Sequence, residues 1–152
     1  MRPLSCRRDA QRGATAVEFA LVFPIFFSIF YAIVTFSMIF VAQQSLTLAT
    51  AEGARAALNY QSASSVPGAI GLRASAACNT ATHMVAQMIQ SAACQTVQAT
   101  CNYDSTMTCI AVTLTYNYAA SPLVPTLPGL AALLPQNLSS TATVQLNPVN
   151  IL

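Results

Sequence analysis

Few side chains in this sequence could do acid–base or nucleophilic chemistry. Its 152 residues include four acids, one His and five Cys, and all six cations are Arg. After position 43 the only acids are Glu52 and Asp104, and the only imidazole is His83. That is too little for a general acid–base pair. Ser and Thr are plentiful, but none has an evident activating base. The sequence has no HExxH, CxxC or GxSxG, and no Gly-rich phosphate loop. His83, with no second His and no nearby acid, reads as a helix residue and not as a ligand. These residues indicate no enzyme, no cofactor, no metal and no small-molecule substrate.

The cysteines are the main exception. Cys78, Cys94, Cys101 and Cys109 are spaced C-x15-C-x6-C-x7-C, with no short knuckle of the kind zinc sites use. Disulfides in an oxidising compartment are the better reading. The fifth, Cys6, lies apart near the N-terminus. Four Cys allow three pairings. A turn centred on Ser105 would set Cys101 opposite Cys109, which leaves Cys78 with Cys94. The second pair raises a difficulty. Across sixteen residues of unbroken helix the two would stand ~24 Å apart, far beyond the ~7 Å a bridge allows. Either the helix breaks near Asn79-Thr80 or the pairing differs.

The elements that must position these residues follow from composition. Charged residues make up 7% and hydrophobic ones 55%, which excludes a disordered chain. It also excludes a nucleic-acid binder, which needs a basic face. Arg2, Arg7, Arg8 and Arg12 crowd the first twelve positions, and all seven Phe lie between Phe19 and Phe40. The stretch Phe19–Ala42 contains no charge. As a helix it would reach ~36 Å, more than the ~30 Å core of a bilayer. Pro24 lies one turn inside it and predicts a kink. No Arg follows the stretch before Arg55, so the positive-inside rule puts the N-terminus in the cytoplasm and everything after about residue 43 outside. A cleaved secretory signal would have a shorter apolar run.

Just ahead of the stretch stands Arg12-Gly13-Ala14-Thr15-Ala16-Val17-Glu18-Phe19. A Glu at the start of an apolar run is costly unless it has a partner. Cutting after Gly13 would put an ammonium on Ala14, four residues from Glu18, where a helical charge pair is possible. Arg-Gly, then Ala, then Glu at the fifth position after Gly, then a long apolar helix, resembles a class III, prepilin-type signal. Glu18-Phe19 together with Ala51-Glu52-Gly53-Ala54-Arg55 resembles the TadE-like proteins of the Tad (Flp) pilus machinery. The likeness covers about residues 10–60. It implies a leader over residues 1–13, cut by a prepilin peptidase, a membrane aspartic protease, with Ala14 as the mature N-terminus. It also implies that Glu18 aligns the subunit with its neighbours during assembly. Cys6 would leave with the leader, and four outer cysteines would remain.

Downstream, Leu46, Ala49, Gly53, Ala56, Ala57 and Tyr60 recur at helical spacing. They predict that one helix runs on from about Ala14 to Asn59, with a face of mostly small residues. Glu52 and Arg55 can pair on its flank. Gln61–Pro67 reads as a loop and Gly68–Gln90 as a second, Ala-rich helix. Alternation over residues 110–118 and 138–146 predicts two half-buried strands, with a weaker third over Thr96–Tyr103 that forms a hairpin with the first. Between the two stronger strands lies SPLVPTLPGLAALLP, residues 121–135. Its four Pro forbid a strand, and it is unusually apolar for a loop. A flap over the sheet and a contact surface for a partner or the membrane are equally supported.

The sequence thus predicts an α+β, pilin-like chain: a leader (1–13), a transmembrane helix (14–42) and an extracytoplasmic head (43–152). The helix continues into an amphipathic stretch, followed by a second helix and a small antiparallel sheet. The resemblance implies a minor pilin-like subunit, or pseudopilin, in the bacterial inner membrane with a periplasmic C-terminal domain. Its partners would be prepilin peptidase, other pilin-like subunits and pilus assembly proteins, in pilus biogenesis or adherence. The alternative is an uncleaved, signal-anchored periplasmic protein that binds an envelope partner through its head.

Overall fold

The computed structural model describes residues 9–127 and 131–151. Two helices come first, α1 (Asp9–Ala56) and α2 (Val66–Val85). Three strands follow, β1 (Ala93–Thr100), β2 (Thr108–Asn117) and β3 (Asn137–Leu146), in spatial order β1-β2-β3. Both pairings are antiparallel. This is the α+β plan expected from the sequence. The chain divides into two compact units, Met1–Ser37 and Met38–Leu152. Residues 1–8, with Arg2, Cys6, Arg7 and Arg8, lie outside the described residues, as does Pro128.

In the first unit α1 presents Phe19, Leu21, Ile25, Phe26, Ile29 and Phe30 on its surface. It runs through Pro24 without ending there. Its hydroxyls turn back onto the helix: Ser28 Oγ donates to the Pro24 carbonyl at 2.7 Å. Such local bonding suits a helix with no water beside it.

In the second unit the remainder of α1 and all of α2 contribute to one core with the sheet. Ala42, Leu46, Ala49 and Ala54 of α1, and Ala57 just after it, join Ala69, Ala74, Ala77, Ala81 and Val85 of α2. The sheet supplies Ile110, Val112, Leu114, Tyr116, Leu138 and Leu146, the alternate positions expected to point inward. Small residues let the helices approach closely. A Cβ added at Gly53 would stand 2.7 Å from the Ala77 carbonyl oxygen and 2.9 Å from Ala81 Cβ. Gly53→Ala gains about 1 kcal/mol of helix propensity, but the backbone oxygen cannot swing away as a side chain would. We expect the variant to lose stability by roughly 1–2 kcal/mol, as overpacked sites do. A denaturant midpoint equal to or above the parent's would show that the helices separate freely.

Several boundaries differ from expectation. α1 ends at Ala56, and Tyr60 is exposed instead of facing the core. α2 begins at Val66, where the Ser65 side chain accepts from the Gly68 amide, and ends at Val85 instead of Gln90. β1 starts at Ala93 and stops at Thr100, earlier than Thr96–Tyr103. The hairpin register pairs Thr100 with Thr108, and the Cys101 amide donates to the Met107 carbonyl. The turn therefore centres on Asp104, not Ser105, and Cys101 faces Met107 instead of Cys109. Asp104 sets the turn by accepting from the amide and hydroxyl of Thr106. Those bonds hold its carboxyl below the usual range.

Both disulfides form nonetheless. Cys101–Cys109 spans a Cα separation of 5.1 Å and Cys78–Cys94 one of 5.7 Å. The second bridge answers the distance problem in a way the sequence did not suggest. The helix is unbroken at Asn79-Thr80, and the chain reverses after Val85 so that β1 packs against α2. Alkylation of oxidised, denatured protein without reductant is expected to leave Cys78, Cys94, Cys101 and Cys109 unlabelled. Stoichiometric labelling of any one of them would contradict the bridges.

Candidate functional site: the N-terminal segment and its anchor

Gly13, Ala14 and Glu18 all lie within α1, and all three are exposed. Helical spacing puts Ala14 and Glu18 on one face. Gly13 has no steric role: a Cβ there would meet nothing within 4 Å. Glycine inside a helix costs about 1 kcal/mol relative to Ala, and here it relieves no clash. This contrasts with Gly53, where the neighbouring helix leaves no room.

From Phe19 onward the surface is apolar. The rings of Phe19, Phe23 and Phe27 stack along one edge, with centroids 5.2 and 6.1 Å apart. α1 is long and apolar enough to cross a membrane over Gly13–Ala56, and little of its most apolar stretch is buried. A soluble protein would cover such a surface. Among the described residues it is the only such helix, which supports a single-pass membrane protein.

Residues 13–55 match the family model of TadE-like proteins. The match begins at Gly13 and ends at Arg55, so it takes in Glu18 and the Ala51–Arg55 motif. It agrees with the resemblance carried by those residues. A TadE-like segment suggests a protein associated with the Tad pilus. No curated protein and no solved structure matches the chain.

The end of the TadE-like segment is anchored by contacts that sequence reasoning missed. Arg73 of α2 is buried, and among the described residues its guanidinium meets backbone carbonyls and no carboxylate. Its guanidinium donates to the carbonyls of Ala57 and Leu58, just past the end of α1, at 3.4 and 3.2 Å. It also donates to the Ile151 carbonyl at 3.2 Å. A cation suits the carbonyl end of a helix. A signal was available: Arg73 shares a helical face with Ala69, Ile70, Ala77 and Ala81, all buried. On the opposite side Gln43 Nε2 donates to the Ser139 carbonyl at 2.9 Å, and the Thr50 and Ser140 hydroxyls meet at 3.1 Å. These bonds fasten β3 to α1. The expected Glu52–Arg55 pair is present at 2.7 Å on the exposed flank, where such pairs contribute little.

His83 lies exposed in the last turn of α2. Among the described residues, no three His, Cys, Asp or Glu side chains gather where a metal could bind.

Proposed function

We propose that this chain is a minor pilin-like subunit, a pseudopilin, of a Tad-type pilus assembly or secretion system. In this reading residues 1–13 are a cytoplasmic leader, 14–42 span the bacterial inner membrane and 43–152 form a periplasmic head. Prepilin peptidase cuts between Gly13 and Ala14, and the trimmed subunit joins other pilin-like subunits in pilus biogenesis or adherence. The observation that carries this is the Gly13…Glu18 spacing at the start of the TadE-like segment, ahead of an uncharged helix. The open space around Gly13 supports it, because the glycine answers no packing need. A protease must draw the chain out of its helix, and a glycine lowers the cost of unwinding.

Intact-mass and N-terminal analysis of the membrane-extracted protein tests this. In a peptidase-positive host we expect the chain to begin at Ala14, and we expect a bulky side chain at position 13 to leave it full length. An uncut parent protein, or one starting near Glu52, would sink the processing step.

A further inference from the structure

We propose that this protein pairs with a second copy of itself, β1 against β1, about a two-fold axis at Val97. The sheet has two edge strands, β1 and β3. α1 engages the β3 edge, where Gln43 Nε2 donates to the Ser139 carbonyl. The β1 edge is open. The Cys101 amide donates to the Met107 carbonyl, in line with the ladder that pairs Thr100 with Thr108. Backbone groups alternate sides along an antiparallel strand. Ala93, Gln95, Val97 and Ala99 therefore turn their N–H and C=O groups to β2, and Cys94, Thr96, Gln98 and Thr100 turn theirs outward. Among the described residues no group bonds to those outward backbone atoms.

Exposed edges are usually guarded by a charge, a proline, a bulge or short length. β1 has none of these guards. Its eight residues include no charge and no Pro, and they pair one to one with β2 throughout. None of its side chains is fully buried, so packing holds it weakly. Covalent bonds hold it instead. Cys94 near its start is bridged to Cys78 of α2, and Cys101 just past its end to Cys109 of β2. An edge fixed at both ends has little freedom left to lose on taking a partner. The strand's own sequence fits it as that partner. Antiparallel pairing centred on Val97 sets Cys94 opposite Thr100, Gln95 opposite Ala99 and Thr96 opposite Gln98 of the second copy. Every outward backbone group of β1 is then paired. Val97, 61% exposed, meets its counterpart at the axis. A two-fold axis sets like against like, so a charge there would repel itself, and β1 carries none. Two three-stranded sheets become one continuous antiparallel sheet. A single strand pair lies at the low end of specific interfaces, so the association is reversible.

Trapping the pair as a disulfide tests both the contact and its register. Opposed residues that exchange no hydrogen bond stand ~4.5 Å apart at Cα across an antiparallel pair, within bridging distance. Val97→Cys has that geometry at the axis. Gln95→Cys does not, because position 95 faces position 99, and the two copies of 95 lie ~13 Å apart along the ladder. Both variants are made in full-length, detergent-solubilised protein that also carries Cys6→Ser, so that every other Cys is bridged. On mild oxidation we expect roughly tenfold more linked dimer from Val97→Cys than from Gln95→Cys. Gln98→Pro removes an outward N–H that the protein's own sheet does not use, a change edge strands tolerate. Added to Val97→Cys, it is expected to cut the linked dimer roughly tenfold, with both native bridges intact by mass. Absence of a Val97→Cys dimer overturns self-pairing, whatever strand of another protein the edge takes. Equal linking at 95 and 97 means that copies collide without a register, and linking at 97 that survives Gln98→Pro means that they meet through other contacts. Either result overturns the proposal. If Gln98→Pro unfolds the protein, the comparison of 97 with 95 still decides.

Discussion

Glu18→Ala is expected to insert and to be processed, yet to fail in assembly. Removing a carboxylate from the start of an apolar run can only ease insertion, by up to a few kcal/mol and less near the interface. Processing should survive if the peptidase reads mainly Gly13. What is lost is an attraction, in the proposed mechanism, between Glu18 and the ammonium freed on Ala14, in the same chain or a neighbour. Glu18 is exposed on α1, so its carboxylate is accessible to a second subunit. In low-dielectric surroundings such a pair could contribute on the order of several kcal/mol, well above a surface bridge. Without it the ammonium stays hydrated and the subunit sits out of register. The readout is co-purification with pilus components, normalised to cleaved subunit in the membrane. Assembly at the parent's level would reduce Glu18 to a tolerated interfacial residue.

Arg73→Ala is expected to destabilise the head by roughly 3 kcal/mol, the largest stability loss we anticipate from a single substitution. Three carbonyls lose a charged donor, and bonds to charged groups contribute about 1.5–3 kcal/mol each before water replaces some of them. A cavity opens as well, because Arg73 is buried against the ends of α1 and the chain. Arg73→Met fills most of that space and should recover only part of the loss. Denaturant unfolding of detergent-solubilised protein, with both disulfides intact, measures the difference. Equal midpoints for Arg73→Ala and the parent would mean that water satisfies Ala57, Leu58 and Ile151 as well as the guanidinium does.

These two residues mark what the sequence could and could not reveal. Glu18 stands out because a charge beside an apolar run is rare, and its distance from Gly13 can be counted. Its partner belongs to another moment or another molecule, so no single chain displays it. Arg73 was hidden because its acceptors are backbone carbonyls, which have no letter in a sequence. The strands over 110–118 and 138–146 were legible because one face is buried and the alternation is sustained. β1 was misplaced because most of its residues are exposed and little alternation survives. The end of α2 was invisible for another reason. Ala86–Gln90 holds no Gly or Pro, and the chain turns there with Ile89 tucked into the core. Tertiary packing overrode a local tendency to continue the helix.

The placement of the bridges sets an order of arrival during synthesis. They link positions 16 and 8 residues apart, and both are complete once Cys109 has emerged. β3 begins only at Asn137. The second helix, β1 and β2 can therefore be locked together covalently while the far edge of β2 still awaits its neighbour. Until then the central strand of the finished sheet is an edge strand, and the backbone N–H and C=O groups it will share with β3 are unpaired. Arg73 waits longer still: Ala57 and Leu58 precede it in the chain, but Ile151 follows β3. The head's contacts are complete only once β3 and the Ile151 carbonyl have docked. A chain halted before β3 forms can hold both bridges and still be open to pairing with another copy of itself.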